Sequence, residues 1–326
     1  MYLNCKTYFS YRYGTLSTEE LVNQGVAAGA LALALTNINN TADIWDFYEY
    51  CTQANIKPVL GCEVRNGDEL LYIMLARNNC GIAEINCLLT HHLQTKEPFP
   101  VRAAFSSNVW AIYPLGRLKP DALKEHETIG VQPAEVNRLF SVDTAAYPTK
   151  FVVRQPVTFM NKTGYNLHRL LRAVDHNILL SKQTAEQIAA TTEIFITPNQ
   201  ILSAFTYHPH IITNTLRVIE SCNYTICYYT DKNKKAFTTT PANDRILLEK
   251  LTLDGLHNRY GRSNRQAAER VQKELKIIDQ LGFNAYFLIT WDIIRYAQER
   301  GFWGAEEVLP SWPQVDKRNQ KRRCRR

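Results

Sequence analysis

Over the first two hundred residues, short apolar runs alternate with segments whose apolar residues recur at helical spacing, and this alternation limits the fold more than any other feature of the chain. LALALTNI (31–38) reads as a buried strand, ADIWDFYEYCTQAN as a helix with Ile44, Phe47, Tyr48 and Cys51 on one face, and IKPVLGCEVR as the next strand. ELLYIMLAR, VWAIYPLG and KFVVRQPVTF supply further strands, with GIAEINCLLTHHLQ and PAEVNRLFSV as helical stretches between them. Continuous apolar strands alternating with helices predict a parallel sheet covered by helices, either a barrel or an open doubly wound sheet; the periodicity does not choose between the two.

From Ile201 the texture changes. HPHIITNTLRVIESC reads as a helix, and DKNKKAFTTTPAND is polar, as a linker would be, which places a domain boundary near 230 to 240. Beyond it RILLEKLTLDGLHNRYG, NRQAAERVQKELKIIDQLG and AYFLITWDIIRYAQERG predict three successive helices, each stopped by a glycine just past its end. A chain of 326 residues is long enough for about two domains.

The formal net charge of +7 is a property of the tail: Lys317, Arg318, Lys321, Arg322, Arg323, Arg325 and Arg326 account for all of it, and 31 Lys and Arg then balance 31 Asp and Glu. Nucleic-acid binding by charge is therefore expected of the tail and not of the body as a whole. No apolar run approaches the length of a membrane span, and the first residues lack the apolar core of a signal peptide, which points to the cytoplasm. The eight cysteines form no Cys-x-x-Cys pair and read as reduced, mostly core residues.

The string ELKIIDQLGFNAYFLITWDIIRYAQERG (274–301) closely resembles the start of the polymerase domain in the alpha subunit of bacterial DNA polymerase III. DGLHNRYG and ERVQKELKIID resemble the preceding helices of that family, NTLRVIESCNY the segment joining its two domains, and ALTNINNTADIWDFYEYCTQANIKPVLGCEV its polymerase-and-histidinol-phosphatase (PHP) domain. The resemblance implies an α/β fold, a PHP-like distorted β/α barrel over residues 1–230 with its connecting helix, and an all-helical start of a polymerase domain over 244–302; the polar residues 231–243 between them read as a linker, and residues 303–326, beyond the resemblance, as a basic, disordered tail.

A functional PHP domain gathers His, Asp and Glu at strand ends to hold divalent ions at a phosphoester. Carried over by resemblance, its His-x-His falls on Asn4-Cys5-Lys6, its Thr-Asp-His on Thr36-Asn37-Ile38, its Gly-x-Glu on Gly61-Cys62-Glu63, and its late Asp-x-His on Pro156-Val157-Thr158. Glu63 is then the sole ligand type retained, while Asn4, Lys6, Asn37, Ile38, Pro156 and Thr158 are degenerate. A single carboxylate does not hold a metal cluster, and the Lys6 ammonium opposes cations. The expectation is no catalytic residue, no PHP phosphoesterase activity and no cofactor in these residues, with Glu63 paired to Lys6 or another cation and Asn37 bonding the turn after its strand.

Other candidates have plainer explanations. His91 and His92 are adjacent on a helix and point about 100° apart, as surface residues do. In His208-Pro209-His210 the proline marks a helix start. Asp43 and Asp46 lie one turn apart, and Asp43 suits the first turn, where the helix dipole favours acids.

In the resembled family the helix YFLITWDIIRYAQERG leads to a Gly-Arg-Gly-Ser motif, with the palm carboxylates that bind two Mg²⁺ farther on. Neither is present here. Reverse-translated and read from the third base, Gly304-Ala305-Glu306-Glu307-Val308-Leu309-Pro310 permits Gly-Arg-Gly-Ser-Ala-Ala, the missing motif, so the tail reads as the product of a shifted frame. The parent function implied is template-directed DNA synthesis in replication or repair, with Mg²⁺, DNA and other replisome subunits as its partners; the fragment itself is expected to be inactive. Two rival readings are a free-standing PHP phosphoesterase and a non-catalytic PHP scaffold or binding module.

Overall fold

The computed structural model describes residues 1–102, 104–227, 233–261 and 263–301, which fall into two compact units divided after Ile226. Residues 303–326, with all the tail cations named above, and residues 231 and 232 of the expected linker lie outside the described residues.

In the first unit eight strands form one sheet: β1 (Tyr2–Cys5), β2 (Ala32–Leu35), β3 (Lys57–Asn66), β4 (Glu69–Ala76), β5 (Val109–Pro114), β6 (Glu127–Val131), β7 (Phe151–Val153) and β8 (Pro156–Val157). Their spatial order is β7-β6-β5-β4-β3-β2-β1-β8, so the two edge strands are neighbours in sequence, separated by Arg154 and Gln155 alone. Three Cα steps of about 3.8 Å hold those edges within about 11 Å of each other, and the sheet curls nearly shut as a distorted barrel. KFVVRQPVTF is accordingly two strands on opposite edges, where the apolar pattern had suggested one.

The sheet is not wholly parallel. β4 runs antiparallel to both β3 and β5, while the remaining pairs are parallel. Only Gly67 and Asp68 separate β3 from β4, with Gly67 at φ +59°, and a parallel connection would need a crossover of a dozen residues.

Helices α1 (Thr18–Ala27), α2 (Ile44–Gln53), α3 (Asn79–Thr95), α4 (Lys162–His176), α5 (Pro198–Ala204) and α6 (Pro209–Glu220) complete the unit. One face of the strands, with Leu33, Leu35, Leu60, Cys62, Tyr72 and Met74, packs against Leu21 and Val22 of α1, Phe47 and Cys51 of α2, and Ile85 and Leu89 of α3. The opposite, inner face carries Ala32, Ala34, Val59, Ile73, Ile112 and Val152, and Val218, Ile219 and Cys222 at the end of α6 cover it. Two expectations are corrected. Pro133–Ser141 forms 3-10 turns and not an α-helix, burying Leu139 alone, too little to hold a regular helix. Asp43 precedes α2 as its N-cap at φ +64°, makes no capping bond, and accepts instead from the Thr18 hydroxyl; the acid in the first turn is Asp46.

The second unit is helical: α7 (Pro241–Tyr260), α8 (Arg265–Gln280) and α9 (Asn284–Glu299). Gly261, Gly282 and Gly301 all have positive φ just past these helices, the three glycine stops expected from the sequence. Asp244 at the start of α7 is buried and accepts from the Phe237 and Thr238 amides at 2.7 Å each. In α9, Ala285 and Leu288 are buried while Tyr286, Ile293 and Tyr296 are exposed. Among the described residues no helix is long and apolar enough to cross a membrane.

Candidate functional site

Toward the carboxyl ends of the parallel strands the inner face changes from apolar to polar. Continuing the alternation, Ala32 and Ala34 are followed by Thr36, Val59 and Gly61 by Glu63, and Val152 by Arg154, all buried except for the glycine's missing side chain. In β1 the register shifts between Tyr2 and Cys5, so that Leu3 joins the inner apolar cluster and Asn4 reaches Thr36 and Glu63.

Glu63 stands at the centre. Its Oε2 accepts from Asn4 Nδ2 at 2.6 Å and Lys6 Nζ at 3.1 Å, and its Oε1 accepts from Arg65 Nε at 2.6 Å. Burial alone would raise its pKa; Arg65, then Lys6, and the bond from Asn4 overcome burial and hold it down to about 2. Lys6 is also 3.7 Å from Glu193 Oε2, the same oxygen that accepts from the Thr158 hydroxyl. Around the Tyr13 ring lie the Arg65 guanidinium at 4.5 Å, Arg172 at 5.3 Å and Lys6 at 5.8 Å, and Arg65 Nη2 donates to the Tyr13 hydroxyl at 3.2 Å.

The structure thus places Asn4, Lys6, Glu63 and Thr158 in one network. Pro156 sits opposite Asn4 in the β1–β8 pairing. Ile38 makes a single bridge to Glu63 and packs beside Tyr13 and Phe159. Asn37 Oδ1 accepts from the Thr7 amide at 2.9 Å, the Thr7 hydroxyl at 3.1 Å and the Ser10 hydroxyl at 2.9 Å, tying down the loop after β1 more than the turn after its own strand. His91 is exposed on α3 while His92 is half-buried against the Phe99 ring, and His208 and His210 flank the start of α6.

Sequence reasoning missed Arg65, Glu193, Tyr13, His168, Arg172 and Arg154. Arg65 lies two residues beyond Glu63 and so on the same strand face, a signal that was readable. His168 and Arg172 are one turn apart on α4, whose apolar Leu167, Leu170 and Val174 are exposed, so hydrophobic periodicity points to the wrong face. His168 Nδ1–H donates to the Tyr13 carbonyl at 2.6 Å and Nε2 accepts from the Ala189 amide at 2.8 Å, which fixes the neutral tautomer. Burial pushes its pKa down to about 4.

This donor set does not fit a divalent ion. Both oxygens of Glu63 are occupied by cationic or amide donors, and an ammonium and a guanidinium stand where cations would have to bind. Among the described residues there is no group of three His, Cys, Asp or Glu arranged to hold a metal. The Cys5 thiol, next to Lys6, is held protonated: burial pushes its pKa up to about 12.

Residues 3–130 match the PHP domain family, and residues 246–305 match the bacterial DNA polymerase III alpha NTPase domain. The error-prone DNA polymerase of Symbiobacterium thermophilum is 24% identical over 92% of this chain and 32% of its own length. DNA polymerase III alpha subunits of Halalkalibacterium halodurans and Staphylococcus aureus are 24% and 26% identical over 86% and 91% of this chain, and 28% of their own lengths. Among solved structures, a metal-dependent phosphoesterase from Bifidobacterium adolescentis aligns over 63% of each chain at 17% identity, with a TM-score of 0.23. The chain is therefore similar to a PHP domain over residues 3–130 and to a polymerase III alpha domain over 246–305, and it spans less than a third of the length of the curated relatives it matches.

Proposed function

We propose that the chain is the front portion of a polymerase III alpha-type protein in which residues 1–230 are a non-catalytic PHP scaffold, 231–243 a linker and 244–302 the helical entrance to the polymerase. Template-directed DNA synthesis in replication or repair, with Mg²⁺, DNA and replisome subunits, is the activity of the whole assembly to which this portion contributes, in the cytoplasm. The observation that carries the scaffold reading is Glu63: both of its oxygens already accept from protein donors, Asn4 and Lys6 on one and Arg65 on the other, so fixed protein cations do the charge-balancing that metal ions do in a phosphoesterase.

Metal analysis of the purified protein tests this against the phosphoesterase reading. Less than about one equivalent of Zn²⁺, Mn²⁺ or Fe, and no hydrolysis of phosphoesters after any of these is added, is the expected result. Stoichiometric metal that is lost in Glu63→Gln overturns it.

A further inference from the structure

Arg154 is 6% exposed, and among the described contacts its guanidinium makes no hydrogen bond: Nε is buried without a partner, and the nearest ion pair is Glu135 Oε2 at 3.9 Å. A buried guanidinium brings five donors and a full charge into low dielectric, and such groups are ordinarily paired and hydrogen-bonded.

The neighbouring carboxylates are committed elsewhere. Glu135 Oε1 takes Arg138 at 2.9 Å and its Oε2 takes the Gln132 amide at 3.1 Å. Glu63 is filled by Asn4, Lys6 and Arg65, and Glu193 is taken by Thr158 and faces Lys6. Desolvation accordingly depresses the Arg154 pKa, with Glu135, Glu63 and Glu193 opposing it only from a distance.

The fold nevertheless makes room for this side chain. A Cβ at Gly130 would fall 2.9 Å from Arg154 Cβ and 3.0 Å from its Cδ, so the bare glycine in β6 lets the arginine stem cross the inner face of the barrel. Two residues earlier on the same strand face, the Thr128 hydroxyl is also buried without a partner. The guanidinium with its unused donors stands just past the carboxyl end of β7, the end at which barrels place their ligands, and the unused Thr128 hydroxyl lies farther back on the same inner face, near the start of β6.

We propose that Arg154 is the anchor of a binding site for a small oxyanion, held by the planar fork of the guanidinium and independent of any metal. A phosphate and a carboxylate present the same pair of coplanar oxygens, so the shared chemistry is that of a two-oxygen anion. The site goes beyond the scaffold reading, because it gives the scaffold a ligand.

The test is a thermal-unfolding titration of the full chain in EDTA, so that metal-borne anions are not read, with inorganic phosphate, sulfate or acetate against chloride at equal ionic strength. A saturable rise in melting temperature is expected with at least one oxyanion and not with chloride. Phosphate and sulfate acting without acetate assigns a tetrahedral oxyanion; acetate acting alone assigns a carboxylate. Arg154→Gln should abolish the rise and Arg154→Lys should weaken binding at least tenfold, whereas Arg270→Gln, at an exposed position on α8, should keep it. No saturable response in the unmodified protein, or the same response in Arg154→Gln, overturns the proposal. Should Arg154→Gln fail to fold, the Arg154→Lys affinity decides: an unchanged value overturns it equally.

Discussion

Lys6 Nζ lies 3.1 Å from Glu63 Oε2 with both side chains shut away from solvent, at 1% and 0% exposure. Arg65 approaches the other oxygen of the same carboxylate, so one buried anion is shared by two cations, and Glu193 at the edge of the group balances the second. Removing one member of such a group leaves another charge buried and unpaired, at a cost of about 3–5 kcal/mol.

Lys6→Met should therefore destabilise the first unit by about 3 kcal/mol in urea unfolding. Glu63→Gln should do the same by leaving Lys6 and Arg65 facing each other. The double variant removes both charges together, and its loss should fall at least 1 kcal/mol short of the sum of the single losses. Strict additivity would mean that the two residues do not act as a pair.

Two acid transitions should be separable. The folded His168 pKa, near 4, is below the ordinary 6.5, so the native state refuses a proton that the unfolded chain accepts; stability is full above pH 6.5 and falls as the pH drops through 4. The folded Glu63 pKa, near 2, is below the ordinary 4.5, so its contribution is full above 4.5 and falls as the pH drops through 2. Stability measured by urea between pH 8 and pH 3 should show the His168 loss first, and His168→Gln should lack the loss between 6.5 and 4. A profile flat from pH 7 to 4.5 contradicts the assignment.

The strands and helices were largely legible because each is an apolar run or an amphipathic period bounded by turn residues, and the glycines at 261, 282 and 301 marked their helix ends. The reversal of β4 and the near-closure of the sheet were not legible, since they depend on a two-residue turn at Gly67 and on the break at Arg154-Gln155 inside one apolar stretch. At the site, the resemblance located Asn4, Lys6, Glu63 and Thr158, but the partners that complete the network come from distant segments. Glu193 is 130 residues from Glu63 in the chain and sits in no regular element, so no period points to it. Arg172 and His168 were hidden by a helix whose leucines face outward.

Asp43 offers a stabilising substitution. Burial first, then the hydrogen bond and charge of Asp46, raise its pKa to about 6, and a raised carboxylate pKa means that stability falls as pH rises from 3.8 through 6. Asn tolerates the left-handed backbone at φ +64° and carries no charge. Asp43→Asn should gain up to about 1 kcal/mol at pH 7, the scale of partly exposed charge interactions, and nothing at pH 3.5. An equal gain at both pH values would assign the effect to the backbone instead.

Gly130 and Arg154 should prove coupled. A methyl group at Gly130 would meet Ile112 Cγ2 at 2.8 Å and the Arg154 stem at 2.9 to 3.0 Å, and all three contacts lie in a packed interior. Gly130→Ala should cost about 1–3 kcal/mol as an overpacking change. Truncating the obstacle gives part of that back, so in an Arg154→Ala background the same glycine substitution should cost clearly less, with Ile112 accounting for the remainder. Circular dichroism melts of the four proteins in the cycle measure the difference. If Gly130→Ala costs as much without the arginine stem as with it, the stem does not lie across β6 in solution, and the site proposed on Arg154 loses its geometric basis.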